Sequence, residues 1–380
     1  MAKQLKIVIV GCGIVGATIA YELSQNISSD IQVLDQQPPA QGSTGAALGV
    51  LMGAISVRVK GRTWKLREAS IRRHKTLLAE LSEQGYSIPH TSGIVSLCFD
   101  EDKLPRWTAL KEKREKQGWP LEIWHPAELK KRCPQITLDS PEAETPTETR
   151  RVKAAIYSSS DGQVDPVALT NALVTAAKVR DVRFHWNAEV TQLEIERQRC
   201  VAVQTTQARL EADWVILTAG LGSAALTQFA SEPLALIPVL GQAAEIQLPK
   251  TLGLKDFQPV INGDDIQFVP LGEGRYWLGA TVEFPSEDEA LEAQADGIES
   301  LLKGAERFCS AIAQAKIIKT WSGLRPRPVG QPAPVIKPLG DTENVTLATG
   351  HYRNGVLLAP ATALAVCELL QKSDRFTFSP

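Results

Sequence analysis

The chain has 380 residues, of which 43% are hydrophobic, and its 41 basic residues nearly balance 43 acidic ones. This length favours two domains over one continuous core, and the balanced charge argues against a nucleic-acid partner. Six cysteines without a C-x-x-C pair argue against a metal site or a disulfide framework and favour a cytoplasmic location. We identify no signal peptide and no stretch approaching the roughly 18 apolar residues of a membrane span, so no stable membrane association is expected.

The first predicted element is a buried strand over residues 5–10, and helical spacing follows from Ile14 to Ser24. The turn between them carries a G-x-G-x-x-G motif formed by Gly11, Gly13 and Gly16. Such glycines permit a tight turn, a close approach of pyrophosphate and tight packing of the helix on the strand. The N–H groups at the start of that helix can then bind phosphate. The motif predicts a dinucleotide site, although glycines alone also occur in ordinary strand–turn–helix units.

A second predicted strand, residues 31–35, ends in Asp35. A carboxylate at this distance from the glycines can accept hydrogen bonds from ribose hydroxyls, which favours NAD or FAD over NADP. Residues 38–53 are then rich in Gly, Ala, Ser and Thr, with a turn at Ser43 and Thr44. Small residues there suggest that the backbone passes close to an extended ligand, which is less typical of a nicotinamide enzyme.

Helical spacing is also found in residues 64–84 and 287–316. In the helix that follows residues 161–165, Asp165 is a predicted N-cap and Pro166 the first helical residue. A strand and a meander follow within residues 183–206, and a buried strand then ends at Ala219 and Gly220. Residues 343–370 predict a last strand and helix. The remaining strand-like segments are 91–99, 243–248, 266–270 and 275–283.

The motifs, taken in chain order, resemble those of the D-amino-acid-oxidase-like FAD oxidoreductases, and most of all the glycine oxidases of thiamine biosynthesis. The resemblance spans nearly the whole chain and rests on GCGIVG, Asp35, STGAALG, DGQVDP, ADWVILTAG, WSGLRP and TGHYRNGVLLAP. It implies an α/β fold in which a Rossmann-like, glutathione-reductase-like FAD domain is interleaved with an α+β substrate domain built on an antiparallel sheet. The expected FAD domain comprises 1–85, 152–230 and 325–380, and the expected substrate domain 86–151 and 231–324. The polar residues 139–151 suit a crossing between them.

The resemblance implies noncovalent FAD, because the cysteine that carries flavin in the sarcosine-oxidase branch is absent near WSGLRP. The expected cofactor-binding residues are Gly11, Gly13, Ile14, Val15, Gly16, Asp35, Gln36, Ser43, Thr44, Ala46, Ala47, Gly49, Val190, Thr218, Ala219, Gly220, Arg353, Asn354, Gly355, Val356 and Leu357. The last helix is expected to begin near Leu358–Ala361, with its dipole towards flavin N1–C2=O.

The implied reaction is oxidative deamination of a small amino acid, with hydride transfer from Cα to flavin N5. The imino acid then hydrolyses to an oxo acid and ammonia, and O₂ reoxidises the flavin and forms H₂O₂. No residue is expected to act as acid or base, because solvent can take the amine proton. For His351 we expect a role in packing or in a backbone hydrogen bond. The resemblance also implies a homo-oligomer.

The expected substrate-binding residues are Arg325, Arg353 and Gln267. A guanidinium suits a carboxylate because its fork makes two parallel hydrogen bonds. Gln267 stands where the family usually has a tyrosine that helps to hold the carboxylate; glutamine can donate a bond there with a different reach. Val282 replaces a usual methionine. Because both positions depart from the family pattern, glycine, sarcosine and small D-amino acids remain open as substrates.

Three alternatives remain. A D-amino-acid dehydrogenase would pass electrons to a quinone or another carrier, and absence of peroxide would identify it. A tRNA-modifying flavoprotein of related fold would be expected to carry a basic extension, which the balanced charge does not suggest. A non-catalytic flavin-binding redox protein would have no need of the arginines at 325 and 353.

Overall fold

The computed structural model describes residues 4–139, 151–286 and 291–373. Its helices are α1 (Ile14–Asn26), α2 (Gly61–Glu83), α3 (Leu104–Lys116), α4 (Pro126–Arg132), α5 (Pro166–Lys178), α6 (Ala295–Glu306) and α7 (Gly355–Gln371). Its strands are β1 (Lys6–Val10), β2 (Asp30–Leu34), β3 (Val50–Leu51), β4 (His90–Cys98), β5 (Leu121–Trp124), β6 (Ala154–Val164), β7 (Arg183–His185), β8 (Val190–Glu196), β9 (Arg199–Thr205), β10 (Arg209–Glu211), β11 (Trp214–Leu217), β12 (Leu236–Gln247), β13 (Val260–Gly263), β14 (Ile266–Gly272), β15 (Arg275–Gly279), β16 (Lys316–Pro328), β17 (Val335–Pro338) and β18 (Val345–Thr349).

Within the described residues, six strands form a Rossmann-like sheet in the order β17-β18-β11-β1-β2-β7, parallel except for the β17–β18 pair. Its central strand is apolar on both faces, as buried parallel strands are. Ile7 and Ile9 pack with helices α1, α5 and α7, whereas Val8 and Val10 pack with the three-stranded sheet β10-β9-β8. The glycine turn therefore lies at the carboxyl end of a buried strand.

The second large sheet has the order β16-β12-β15-β14-β13-β4-β6-β3, with β5 also paired to β6, among the residues described. Its pairs are antiparallel except β13–β4, which is parallel. Helix α6 packs on one face through Ile298 and Leu301. The other face carries Ala243 and Val269 and meets Leu48. This second face is turned towards the small-residue segment 38–53.

Most of the predicted helices and strands are confirmed. The bounds of two helices in the second half of the chain, α6 and α7, differ from the prediction. Asp165 caps α5, and its carboxylate accepts from the N–H groups of Val167 and Ala168 at 2.9 Å. The predicted helix over 287–316 is shorter, because α6 ends at Glu306 and an extended strand begins at Lys316. Residues 287–290 and 140–150 lie outside the described part of the chain.

Helix α7 begins at Gly355, which corrects the predicted start near Leu358–Ala361. A 3₁₀ turn over Tyr352–Asn354 leads into it, and Gly355 has helical angles, φ −57° and ψ −51°. Pro360 therefore lies inside the helix, although proline is usually found at the first position of a helix. The neighbouring helix α2 supplies the hydrogen bonds that allow this.

The expectation that no stretch approaches a membrane span was wrong for the same helix. The stretch Tyr352–Gln371 is long and apolar enough to cross a bilayer by length and composition. In the fold, 61% of its apolar window is buried, and α7 packs against α1 and α2. Its composition is therefore that of a core helix.

The expected domain boundaries stay a prediction, and three strands can be placed relative to them. Strands β3 and β6 fall in segments expected to belong to the FAD domain, but both pair within the second sheet. Strand β16 runs across the expected boundary at residue 325. Sequence pattern alone does not reveal these pairings because a strand's sheet is decided by distant partners.

Candidate cofactor and substrate site

The glycine turn packs against the end of β11, and neither Gly11 nor Gly16 leaves room for a Cβ. Gly11 has a φ of +101°, and a Cβ there would lie 2.8 Å from the backbone of Ala219. A Cβ on Gly16 would lie 2.0 Å from the carbonyl oxygen of Gly11. Thr218 reinforces the junction, since its Oγ1 donates to the carbonyl oxygens of Val10 and Gly11 at 2.9 and 2.7 Å. The ends of β1 and β11 thus form one rigid corner.

The amino end of α1 is open to a ligand. Its N-cap residue, Gly13, has no side chain to cap the helix, and no acidic residue lies in the first turn. The Ile14 N–H donates to Thr44 Oγ1 at 3.0 Å, and a Cβ on Gly13 would lie 3.0 Å from that same hydroxyl. The turn that contains Ser43 and Thr44 therefore lies against Gly13. A methyl group on Gly13 would narrow the space between them. Val15 follows in the same first turn. A glycine turn that leads into a helix suits a phosphate, because the N–H groups of the first helical turn point towards it.

Asp35 follows β2 and turns back towards the glycine turn. Its carboxylate accepts from the N–H groups of Cys12 at 2.6 Å and Gln37 at 2.9 Å. Burial raises the pKa of Asp35, while these backbone bonds and one from Gln36 oppose the shift. Its carbonyl oxygen accepts from Ala188 N–H at 2.9 Å, just before Val190. Ribose binding by Asp35 stays a prediction.

The small-residue segment joins the two large sheets. Ser43 Oγ donates to the Leu324 carbonyl at 2.6 Å, and Trp321 Nε1 donates to the Ala46 carbonyl at 3.1 Å. Ala47 N–H closes a turn on Thr44 O at 3.1 Å. At Gly49, with φ of +71°, a Cβ would lie 1.8 Å from Val164 O. Residues 43–49 therefore lie between β16 and the end of β6, with small residues at these contacts.

Two charged residues that stabilise this segment were not predicted as site residues. The buried Asp161 carboxylate accepts from the N–H groups of Gly53, Ala54 and Ile55 at 2.7–2.8 Å. Arg114 Nε donates to Ala54 O at 2.7 Å. Asp161 belongs to the DGQVDP motif, so the motif was visible but its role was not. Arg114 lies in no motif, so no sequence pattern indicated its contact with the segment.

A third unpredicted residue, Arg67 of α2, connects the segment to the start of α7. Its Nη1 donates to the Met52 carbonyl, and its Nη2 donates to Asn354 Oδ1 at 3.0 Å. Burial lowers the pKa of Arg67, and the charge of Asp161 opposes that shift. Met52 and Asn354 come from segments far apart in sequence, so this link appears only in the folded chain.

Near the start of α7, Gly220 and His351 take supporting positions. Thr349 Oγ1 donates to Gly220 O at 3.2 Å, which ties β18 to the end of β11. His351 is buried and lies 2.8 Å, through Nε2, from Thr362 Oγ1. Burial lowers its pKa to about 3, so the ring is neutral. The expected packing role agrees with this burial, but the hydrogen-bond partner is a hydroxyl rather than backbone.

Two guanidinium groups come together at the junction of the sheets. Arg325 Nη1 donates to the Leu240 carbonyl at 2.9 Å, and it forms no salt bridge with any described residue. Burial lowers the pKa of Arg325, and the positive charge of Arg353 lowers it further. Arg353 is more exposed, and its Nη2 lies 3.6 Å from Asp265 Oδ1. Two positive charges thus lie near each other, and the deeper of them, Arg325, has no carboxylate salt-bridge partner among the described residues.

Gln267 lies on the face of the second sheet that meets Met52. Its Nε2 donates to Asn262 Oδ1 at 3.0 Å and lies 3.7 Å from Met52 Sδ. Asn262 Nδ2 in turn donates to Ser96 Oγ at 3.0 Å. The Gln267 Oε1 is buried and has no hydrogen-bond partner in the described structure. In this arrangement the N–H groups of Gln267 are engaged, so the expected donor role would require its amide to turn.

The predicted residues therefore form two connected groups. The first consists of the small-residue segment, the amino end of α1 and the ends of β1, β2 and β11. Arg325, Arg353 and the start of α7 form the second, and Gln267 reaches it through Met52 and Arg67. No hydrogen bond or ion pair joins Gln267 to Arg325 among the residues described.

Comparison with known proteins agrees with this geometry. A family model described as FAD dependent oxidoreductase matches residues 6–369. The glycine oxidase of Bacillus licheniformis is 26% identical over 97% of this chain and 94% of its own. The bifunctional protein ThiO/ThiG of Trichormus variabilis is 27% identical over 97% of this chain and 53% of its own.

Solved structures show the same fold. Glycine oxidase from Bacillus cereus superposes with a TM-score of 0.83 at 24% identity, covering 99% of both chains. L-proline dehydrogenase from P. horikoshii also gives 0.83 at 21% identity, covering 98% of this chain and 94% of its own. The glycine turn and the amino ends of α1 and α7, neither of which is capped by the side chain of its own N-cap residue, fit a dinucleotide cofactor. The chain belongs to the FAD dependent oxidoreductase family, and its cofactor is FAD.

Proposed function

We propose that the protein is an FAD-dependent amino-acid oxidase that oxidatively deaminates a small amino acid: glycine, sarcosine or a small D-amino acid. The observation that carries this proposal is the pairing of Arg325 with Arg353. Two like charges held together in a partly buried place raise each other's energy, and a bound carboxylate relieves that repulsion. The glycine oxidases among the relatives agree with this substrate class.

The proposed cofactor contacts follow the geometry. The amino end of α1 would hold the pyrophosphate, Asp35 the ribose, and residues 43–49 the extended middle of the molecule. The start of α7, with Asn354 and Gly355, would meet the ring system. When bound, FAD supplies the two-electron acceptor for oxidation of the substrate's C–N bond.

In the proposed complex, Arg325 orients the substrate through its carboxylate. Its guanidinium is already fixed by the Leu240 carbonyl, which leaves further N–H donors for a carboxylate fork. Arg353 adds the second charge once it leaves Asp265, a weak and exposed partner. His351 is neutral and engaged with Thr362, so no base from it is proposed and the amine proton passes to solvent.

The test is anaerobic mixing of the yellow holoenzyme with a panel of glycine, sarcosine and small D-amino acids. Loss of the flavin absorbance identifies reducing substrates, and admission of air then tests for H₂O₂. Bleaching by at least one member is expected, followed by peroxide. If no member bleaches the flavin, the proposed activity is wrong. Bleaching without peroxide would replace O₂ with a quinone or another carrier.

The carboxylate assignment needs its own variant. Arg325→Ala should weaken substrate binding by about 2–5 kcal/mol, the usual effect of removing one partner of a buried charge pair. Arg275→Ala is the matched control, because Arg275 is half exposed and pairs with Glu245 elsewhere on the same sheet. Equal substrate dissociation constants for wild type and Arg325→Ala would exclude the assignment.

Service to thiamine biosynthesis, a cytoplasmic location and a homo-oligomeric state belong to the same proposal. The Trichormus variabilis relative supports the first through its name, ThiO/ThiG. Absence of nucleic-acid partners and of stable membrane association stays a prediction from composition.

A further inference from the structure

Helix α7 contains a proline that should disrupt its first turns. Pro360 has no N–H, so the carbonyl of Val356, four residues earlier, receives no backbone hydrogen bond. His74 of α2 supplies the missing donor: its Nε2 lies 3.0 Å from Val356 O and 3.2 Å from Leu357 O. Carbonyl oxygens only accept, so the proton of the ring must reside on Nε2.

Ser70 makes a second hydrogen bond to α7, on the other side of the proline. The Ala361 N–H donates to Ser70 Oγ at 3.2 Å. Ser70 and His74 are only 0% and 4% exposed, so water does not replace these bonds easily. Helix α2 thus supplies a donor for the carbonyl that Pro360 leaves without a backbone partner and an acceptor for the N–H of the next residue.

Arg67 lies on the same face of α2, at i, i+3 and i+7 spacing with Ser70 and His74. Its Nη2 donates to Oδ1 of Asn354, the residue at the N-cap position of α7. Asparagine at that position usually accepts from its own helix's first N–H groups. Here Asn354 makes no such capping bond. Arg67 therefore holds away the side chain that would otherwise cap α7.

We propose that Arg67, Ser70 and His74, the α2 clamp, are positioning residues that hold the amino end of α7 in place and uncapped for the FAD ring. The clamp acts through α7, because first-turn N–H groups carry partial positive charge and stabilise negative charge on the ring. This inference rests on the proposed placement of Asn354–Leu357 beside the ring. Arg67 also bonds to Met52, so it fixes α7 relative to the small-residue segment.

Sulfite titration of the holoenzymes tests the clamp without any amino-acid substrate. Sulfite adds reversibly to protein-bound flavin through its sulfur lone pair, leaves a negative charge on the ring and bleaches the absorbance. Arg67→Met should raise the sulfite dissociation constant about tenfold, a change within the range of helix-dipole effects. Arg72→Met is the matched control on the same helix, since Arg72 is exposed and its partners among the described residues are Glu68 and the ring of Trp119. That control should match wild type.

A second variant separates capping from loss of charge. If Asn354 caps α7 once Arg67 is removed, Asn354→Gly in the Arg67→Met background should restore sulfite affinity to within about threefold of Asn354→Gly alone. An unchanged sulfite constant in Arg67→Met would overturn the proposal. So would failure of the double variant to recover, because the loss would then reflect charge or packing.

His74 offers rescue by a conservative variant. His74→Gln keeps an N–H donor near the Val356 carbonyl, whereas His74→Phe keeps the volume and removes the donor. We expect sulfite affinity near wild type for His74→Gln and a several-fold loss for His74→Phe, at equal FAD content. Equal affinities would contradict the clamp. Because the readout needs only bound FAD, failure of every amino acid in the reduction panel would leave this test intact.

Discussion

Gly241→Ala is the sharpest structural test of the arginine pair. Gly241 lies in β12 opposite Gly323 of β16, and a Cβ built on it would lie 2.0 Å from Nη2 of Arg325 and 2.3 Å from Cζ. Heavy atoms cannot approach this closely, so the guanidinium must move by about 1 Å or more, and a misplacement of this size can cost about 100-fold in rate. Gly241 does not have a positive φ, so alanine should not strain the backbone.

The assay is the anaerobic reductive half-reaction, in which the rate of bleaching is measured against substrate concentration. We expect the ratio of limiting rate to dissociation constant to fall about 100-fold in Gly241→Ala. FAD content and the free energy of unfolding should stay within about 1 kcal/mol of wild type. Gly340→Ala is the control, because a Cβ there lies within 4 Å of no atom in the described part of the chain. A Gly241→Ala enzyme that reduces within threefold of wild type, while Arg325→Ala does not, would refute the packing argument.

Three further changes test other parts of the structure. Gly13→Ala places a Cβ 3.0 Å from Thr44 Oγ1 in the phosphate cradle, so the protein should purify with less FAD and show weaker reconstitution, measured by flavin fluorescence, at unchanged apoprotein stability. Asp161→Asn weakens three bonds to backbone N–H groups of Gly53–Ile55, and urea titration should show a loss of about 3 kcal/mol, whereas a loss below about 0.5 kcal/mol would contradict it. Burial lowers the pKa of His74 to about 4, below the unfolded value of 6.5. The folded state therefore binds fewer protons between these values, and the free energy of unfolding falls as pH drops from 6.5 towards 4. His74→Gln should lose less stability between pH 7.5 and pH 5 than wild type, and an identical loss would exclude this contribution.

The sequence by itself determined the nucleotide-binding half of the protein. Gly11, Gly13 and Gly16 act locally: they fix a turn, a helix start and a close packing contact within a few residues. Asp35, the cap at Asp165 and the short strands of the meander are likewise decided by neighbours in the chain. Such features are readable because their physical causes lie within one or two elements.

The substrate side was only partly readable for the opposite reason. Arg325 and Arg353 were predicted from motifs, and their role stays a prediction, whereas the engaged amide of Gln267 depends on Asn262 and Met52. Their contacts join strands and loops far apart in the chain. A residue's free donors and acceptors depend on which partners the fold brings near, and pattern alone does not supply that.

Only the tertiary structure decided how α7 begins. Its sequence contains Pro360, which favours a helix start near that residue, and an apolar run whose place in the fold the sequence does not give. Burial against α1 and α2 explains the apolar run. His74 replaces the hydrogen bond that Pro360 removes, and Ser70 accepts from the N–H of the next residue. Those bonds join residues nearly 300 positions apart, so no local pattern could predict them.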